Sequence, residues 1–313
     1  MSDTVLGDRA RILNADDLGV GYTTTVSPKR AASVPDSPLI NTDDPQLQQL
    51  IGLLRRYSGV ILSGPPGTSK SYLAAAAGKA MTMGNPDRLA FTQFHASYQY
   101  EDFMEGYRPS EEGGFTPVNG VFLRLCNEAV ADPKHDYVMV IDELSRGDAG
   151  RVFGEALTYV ERSKRGMSFT LPSGETGTVP PNIFIIATMN PLDRGVDEVD
   201  AAFERRFAKV SLPPDADLLN ERLIQNEVED GLRERIVGWF KRINGQAKEV
   251  PAAALGHTYL WDVTDESTAQ DAWEYQVRHH VERAFRYEGK ARDDLMEAWK
   301  NIFTEMASAP GAE

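Results

Sequence analysis

The chain has 313 residues, 41% of them hydrophobic, enough for one large or two modest domains with a real core. Its 33 basic and 47 acidic residues give a formal charge of −14, so the field of the whole molecule repels nucleic acid. Any DNA contact is expected to be weak, local or delegated to a partner, and with no apolar run near the ~20 residues of a bilayer span, no membrane contact is expected and a cytoplasmic location is the default.

Residues 1–45 are polar and rich in Ser, Thr, Asp and Pro, which predicts a loosely ordered arm, with a small adaptor as the alternative. From Pro45, Leu47, Leu50, Ile51 and Leu54 recur at helical spacing. A strand, Val60–Ser63, then turns through Gly64, Pro65, Pro66, Gly67, Thr68 and Ser69 to Lys70, Ser71 and Tyr72, which open an Ala-rich helix running from Ser71 to about Ala80. A strand, a glycine-containing loop and a helix N-terminus in this order aim backbone N–H groups at phosphate. Lys70 is placed to reach β- and γ-phosphates, and the Ser71 hydroxyl to ligate Mg²⁺. The usual pattern has glycine immediately before the lysine. Ser69 in that place predicts strain of about 1 to 2 kcal/mol if the position is left-handed, tolerated because its hydroxyl can face phosphate.

A second strand is expected at Ala90–Phe94, followed by an aromatic segment with Tyr98, Tyr100, Phe103 and Tyr107. Lacking a clean period, that segment reads as a core-packing ordered loop with short helical pieces. Gly113, Gly114, Pro117 and Gly120 mark a turn or hairpin, and a helix follows over Val121–Val130. Within it lies Cys126, the only cysteine, which reads as a buried core thiol. The apolar run Tyr137–Ile141 is suited to a strand buried on both faces; it ends with Asp142 placed for the metal and Glu143 beside the attacking water. Arg151–Arg162 is expected to be helical, and LPSGETGTVPP to be a hairpin or loop. A strand at Ile183–Thr188 delivers Asn190, whose amide can bond water and a phosphate oxygen together. After a helix-like DEVDAAFERRF, Arg205 and Arg206 are either a helix C-terminal cap or an arginine finger reaching a neighbouring subunit. From Asp217, Leu219, Leu223, Val228, Leu232, Ile236, Phe240 and Ile243 recur at near-helical spacing, and Trp273–Phe285 repeats the trend. His95, His135, His257, His279 and His280 show no metal-ligand spacing, so no structural zinc is expected. The expected architecture is an α/β nucleotide-binding core with a parallel sheet over 46–213, an all-helical lid over 214–305 and a tail over 306–313.

Taken together, the segments QFHASYQYEDFMEGYRP, VIDELSRGDAGRVFGEAL, VPPNIFIIATMNPLDRG, AAFERRF and LGHTYLWDV resemble the AAA+ ATPase module and, more narrowly, the McrB family, the GTP-hydrolysing motor subunits of modified-cytosine restriction. The resemblance covers roughly residues 46 to 290. It implies a P-loop nucleoside triphosphatase that assembles as a homo-oligomer, a hexameric ring, with ATP or GTP held between core and lid and completed by arginine from the next subunit. It further implies Asn190 as the first sensor, Asp193 and Arg194 as supporting polar positions, and a nuclease or other effector subunit as partner. The arm is shorter than the family's modified-DNA-binding domain, so target recognition is expected to be absent or carried by another chain. Two other readings stay open: a MoxR-type ATPase that remodels protein partners, and a nucleotide-sensing module that does not turn over, which the intact Asp142–Glu143 pair disfavours. His257 receives no catalytic role.

Overall fold

The computed structural model describes residues 43–110, 113–191, 203 and 205–304. The arm over 1–42, Asp193, Arg194 and the tail from residue 305 lie outside the described residues. Asp44 caps the first helix, α1 (Pro45–Arg56), by accepting from the Gln46 and Leu47 amides, and the apolar row Leu47, Leu50 and Leu54 is buried. Next come β1 (Val60–Ser63), with all four residues buried, α2 (Lys70–Met81), and β2 (Leu89–Gln93). The aromatic segment forms a single turn, α3 (Tyr100–Phe103), whose Phe103 stacks at 4.9 Å on Phe122. The glycine-marked stretch is a hairpin of β3 (Glu105–Pro109) and β4 (Phe115–Asn119), antiparallel, leading into α4 (Val121–Ala131). Cys126 is buried there, and burial pushes its thiol well above the usual range.

After β5 (Tyr137–Asp142) the expected continuous helix over 151–162 is broken into α5 (Ala149–Phe153) and α6 (Ala156–Tyr159). The break is Gly154, at φ 49°, where a Cβ would lie 2.6 Å from the Tyr100 ring; the close approach of that ring admits only glycine. LPSGETGTVPP supplies the turn and second strand of a hairpin of β6 (Ser168–Thr170), just before it, and β7 (Thr176–Thr178), tied to the first hairpin through Glu105, which accepts from the Ser173 amide and hydroxyl. Next is β8 (Ile183–Met189), buried throughout. A fifth parallel strand not expected from sequence, β9 (Ala208–Ser211), pairs with β1; its four residues alternate in exposure, AKVS, too short a signal to separate from a loop.

The main sheet has the order β2-β5-β8-β1-β9 with every pairing parallel, and its two faces are covered by separate apolar clusters. That arrangement is why β1, β5 and β8 read as continuous apolar runs, and it brings their carboxyl ends to one edge. Beyond residue 215 the chain is helical: α7 (Ala216–Gln225), α8 (Asp230–Gln246), α9 (Glu266–Ala272), a π-helical turn over Trp273–Val277, α10 (Arg278–Ala284) and α11 (Gly289–Thr304). These helices enclose their own core, in which Trp299 stacks on Trp273 and meets Trp239 edge-on, both at 4.9 Å. No helix among the described residues is long and apolar enough to cross a membrane.

Candidate functional site

The loop leaving β1 is fastened to the strand on either side. The Gly64 amide donates to Met189 O at 3.2 Å, and the Leu212 amide to Ser63 O at 2.8 Å. Within the loop, Thr68 Oγ1 donates to Pro65 O at 3.0 Å and Lys70 Nζ donates to the same carbonyl at 2.8 Å, which folds the ammonium back across the loop. Ser69 lies in the left-handed region, at φ 59° and ψ 20°, as the missing glycine implied. Its hydroxyl is placed differently from the sequence expectation: Oγ is 2.9 Å from Nε2 of His257 in the helical part of the chain. Ser69, at the N-cap of α2, makes no side-chain cap bond to that helix.

Next to the loop, Ser71 Oγ donates to Asp142 Oδ1 at 2.7 Å. The same oxygen accepts from Thr188 Oγ1, which in turn accepts from the Glu143 amide at 3.2 Å. Thr188, 1% exposed, thus orients both acidic residues from the neighbouring strand. It was not singled out in the sequence, where its only signal is the place it holds two residues before Asn190. Glu143 is left-handed at φ 54°, and its carboxylate accepts from Arg146 Nε at 3.1 Å. Non-glycine residues in that region cluster at functional sites. Asn190, 7% exposed, directly follows Met189, which is in register with Ser63 at the mouth of the loop. Lys70, Ser71, Asp142, Glu143 and Asn190 are therefore gathered at one sheet edge. Asp193 and Arg194 cannot be added, since both lie outside the described residues.

Arg205 and Arg206 are at the opposite end of the strands. Ala208 is in register with Val60, the first residue of β1, whereas the loop follows Ser63, in register with Ser211. At about 3.3 Å per residue, four rows put the arginines more than about 13 Å from their own loop. The pair also divides in environment: Arg205 is exposed, while the Arg206 side chain is only 7% exposed and lies 3.9 Å from the Glu161 carboxylate. Both line a cavity of about 580 Å³ with Arg56, Arg162 and Lys164, a basic patch on an acidic chain.

Helical residues form one wall of the loop. The Gly256 amide donates to Pro66 O at 3.2 Å and the Thr258 amide to Gly67 O at 3.0 Å. His257 between them accepts from the Asp215 amide at Nδ1, 3.4 Å away, which puts the ring proton on Nε2. Burial draws its pKa below the ordinary histidine value, partly opposed by Asp215. A cavity of about 990 Å³, large enough for a nucleoside, opens here between Ser69 and Tyr72 on one side and Asp215, His257 and Trp261 on the other. For a metal, the Ser71 hydroxyl and Asp142 carboxylate offer only oxygen donors, which fits Mg²⁺, an ion that takes few protein ligands and completes its shell with phosphate and water. Among the described residues there is no group of three or more His, Cys, Asp or Glu that could hold a metal ion.

The model of the AAA domain of the dynein-related subfamily matches residues 59–207. A curated relative from Escherichia coli K12, the type IV methyl-directed restriction enzyme EcoKMcrB subunit, is 32% identical over 239 residues, 72% of this chain and 52% of the relative. Another from Bacillus subtilis 168, the type II restriction enzyme BsuMI component YdiS, is 29% identical over 189 residues, 47% of this chain and 55% of the relative. The chain spans about half the length of these curated relatives. A crystal structure of an ATPase homologue from Cytophaga hutchinsonii, 15% identical, covers 83% of this chain and 81% of its own at a TM-score of 0.39, a likeness too slight to bear on function.

Proposed function

Through residues 59–207 the chain belongs to the AAA domains of the dynein-related subfamily, and from that premise we propose that it is a Mg²⁺-dependent nucleoside triphosphatase working as an oligomeric motor component of a McrB-like restriction system. The observation that carries the enzymatic reading is the Ser71–Asp142 contact at 2.7 Å, with Glu143 and Asn190 on the same sheet edge. The loop amides and Lys70 bind the triphosphate of ATP or GTP. Ser71 and Asp142 would hold Mg²⁺, which would supply neutralising charge at the phosphates. Glu143 orients the attacking water and accepts its proton, and Asn190 fixes that water against the γ-phosphate. The restriction setting rests on the two relatives, both named as restriction-enzyme components. With a formal charge of −14, the chain acts on DNA through a nuclease or other effector subunit.

The test is phosphate release with ATP or GTP, with and without Mg²⁺. The parent should turn over only with Mg²⁺. Glu143→Gln should retain nucleotide while hydrolysing at least about 100-fold more slowly, the scale of a lost general base. Parental turnover by Glu143→Gln removes that residue from the role of base. A parent that binds nucleotide and never hydrolyses it, alone or with its effector subunit, leaves the sensing module as the better reading.

A further inference from the structure

Of the four tryptophans in the chain, three pack on one another in the helical core, with Trp239 and Trp299 buried and Trp273 stacked on Trp299. Trp261 stands apart: it is half-buried and lines the cavity of about 990 Å³ beside the loop. Its backbone is anchored between Leu260 and Val263, both buried, and its carbonyl accepts from Arg222 Nε at 3.3 Å and from Asn226 Nδ2 at 2.9 Å. The ring is braced as well. The Arg222 guanidinium lies over it at 5.3 Å, and the His257 ring meets it at 5.6 Å. A large amphipathic ring fixed in a cavity wall suits a flat aromatic partner.

The charges around the cavity point the same way. Asp44, Asp215 and Asp217 line it against one Arg or Lys among the described residues, Arg222, which is already engaged over Trp261. Such a wall disfavours phosphate and suits an uncharged ring whose N–H groups can donate to a carboxylate. The loop is close by. The Thr258 amide is bonded to Gly67 O, and Trp261 follows three residues later, about 6 Å further on at the rise of a 3₁₀ helix, the scale of a ribose. We infer that Trp261 is the surface on which the purine base of the nucleotide stacks, with Arg222 as the positioning residue that braces it. The inference rests on residues 64–71 being the phosphate loop. A ring face carries no base-edge pattern, so this contact serves adenine and guanine alike.

Calorimetric titration in Mg²⁺ with the β,γ-imido analogues of GTP and ATP, set beside inorganic tripolyphosphate, tests this, because tripolyphosphate has no base. In Trp261→Ala the analogue that the parent binds should lose about tenfold in affinity, near the lower end of what a base stacked on an aromatic ring contributes, while tripolyphosphate changes by less than about twofold. Trp261→Phe, which keeps a ring, should stay within about threefold of the parent for both ligands. Arg222→Gln should show the same split between analogue and tripolyphosphate in smaller measure. Tryptophan emission gives a second readout. The analogue should quench the parent, and should leave Trp261→Phe unquenched although it still binds. Equal losses of analogue and tripolyphosphate in Trp261→Ala would show that the ring only packs the helical wall against the loop and overturn the inference, as would undiminished analogue binding or a parent that binds without quenching. A parent that binds neither analogue nor tripolyphosphate overturns the phosphate-loop reading as well, so the two failures are distinct.

Discussion

Ser69 at φ 59° and Glu143 at φ 54° both hold a backbone conformation that costs a side-chain-bearing residue about 1 to 2 kcal/mol. Each is held by side chains beyond its own turn or loop backbone: Ser69 by His257, and Glu143 by Thr188 at its amide and Arg146 at its carboxylate. Gly256 is the residue on which the strap Gly256–Thr258, bonded through its amides to the loop carbonyls of Pro66 and Gly67, depends most directly. A Cβ there would lie 2.1 Å from both the carbonyl carbon and oxygen of Gly67, backbone atoms that cannot give way. Gly256→Ala should therefore lift the strap, break the bonds to Pro66 and Gly67, and weaken nucleotide binding at least about tenfold. Titration would check this; parental affinity in a folded Gly256→Ala protein would mean that the strap and loop do not act together.

At the scale of elements, the helical region carries two buried histidines, His257 and His280, and burial lowers the pKa of both. His280 bonds the Ala253 carbonyl at 3.3 Å, which opposes the shift, while Arg283 adds to it. With folded values below the ordinary histidine value of about 6.5, the unfolded chain binds more protons as pH falls through that range. Their contribution to stability is therefore complete above about pH 6.5 and is lost as pH falls towards the folded values. Melting temperature should decline between pH 7 and 5.5, and His257→Gln/His280→Gln should flatten that decline. An unchanged slope in the double variant would assign the acid sensitivity to other groups.

At the scale of the whole molecule, the parallel register of β1 and β9 keeps Arg205 and Arg206 from the loop that follows β1 in their own chain, so a role at the proposed nucleotide site requires another subunit. The two arginines should separate on substitution. Arg205→Ala, at an exposed residue, should cut turnover by about 10³ or more, the scale of arginines that act on phosphoryl transfer, without lowering melting temperature. Arg206→Ala, at a side chain enclosed beside Glu161, should lower stability first. Mixing Arg205→Ala with Lys70→Ala protein, each inactive alone, should restore activity at junctions that pair an intact loop with an intact arginine. A mixed oligomer that stays inactive would leave the pair as structural residues only.

What the sequence determined by itself was local or periodic: the loop after β1 and the helix it opens, the strands β1, β5 and β8, the hairpin turns, and the change to helical spacing after residue 216. Doubly buried strands announce themselves as unbroken apolar runs, and a phosphate loop is contiguous, so both are written in one stretch of chain. β9 escaped because an edge strand of four residues with alternating exposure carries too little pattern, and the helix expected over 151–162 breaks at Gly154, which packs against the ring of Tyr100, far away in sequence. Only the tertiary structure decided that Thr188 orients Asp142 and Glu143, that Ser69 answers to His257 across 188 positions, and that Arg205 and Arg206 differ in burial. Each of those facts depends on strand register or on the docking of helices against the loop, and a hydrogen bond between residues so far apart leaves no spacing in the sequence to read.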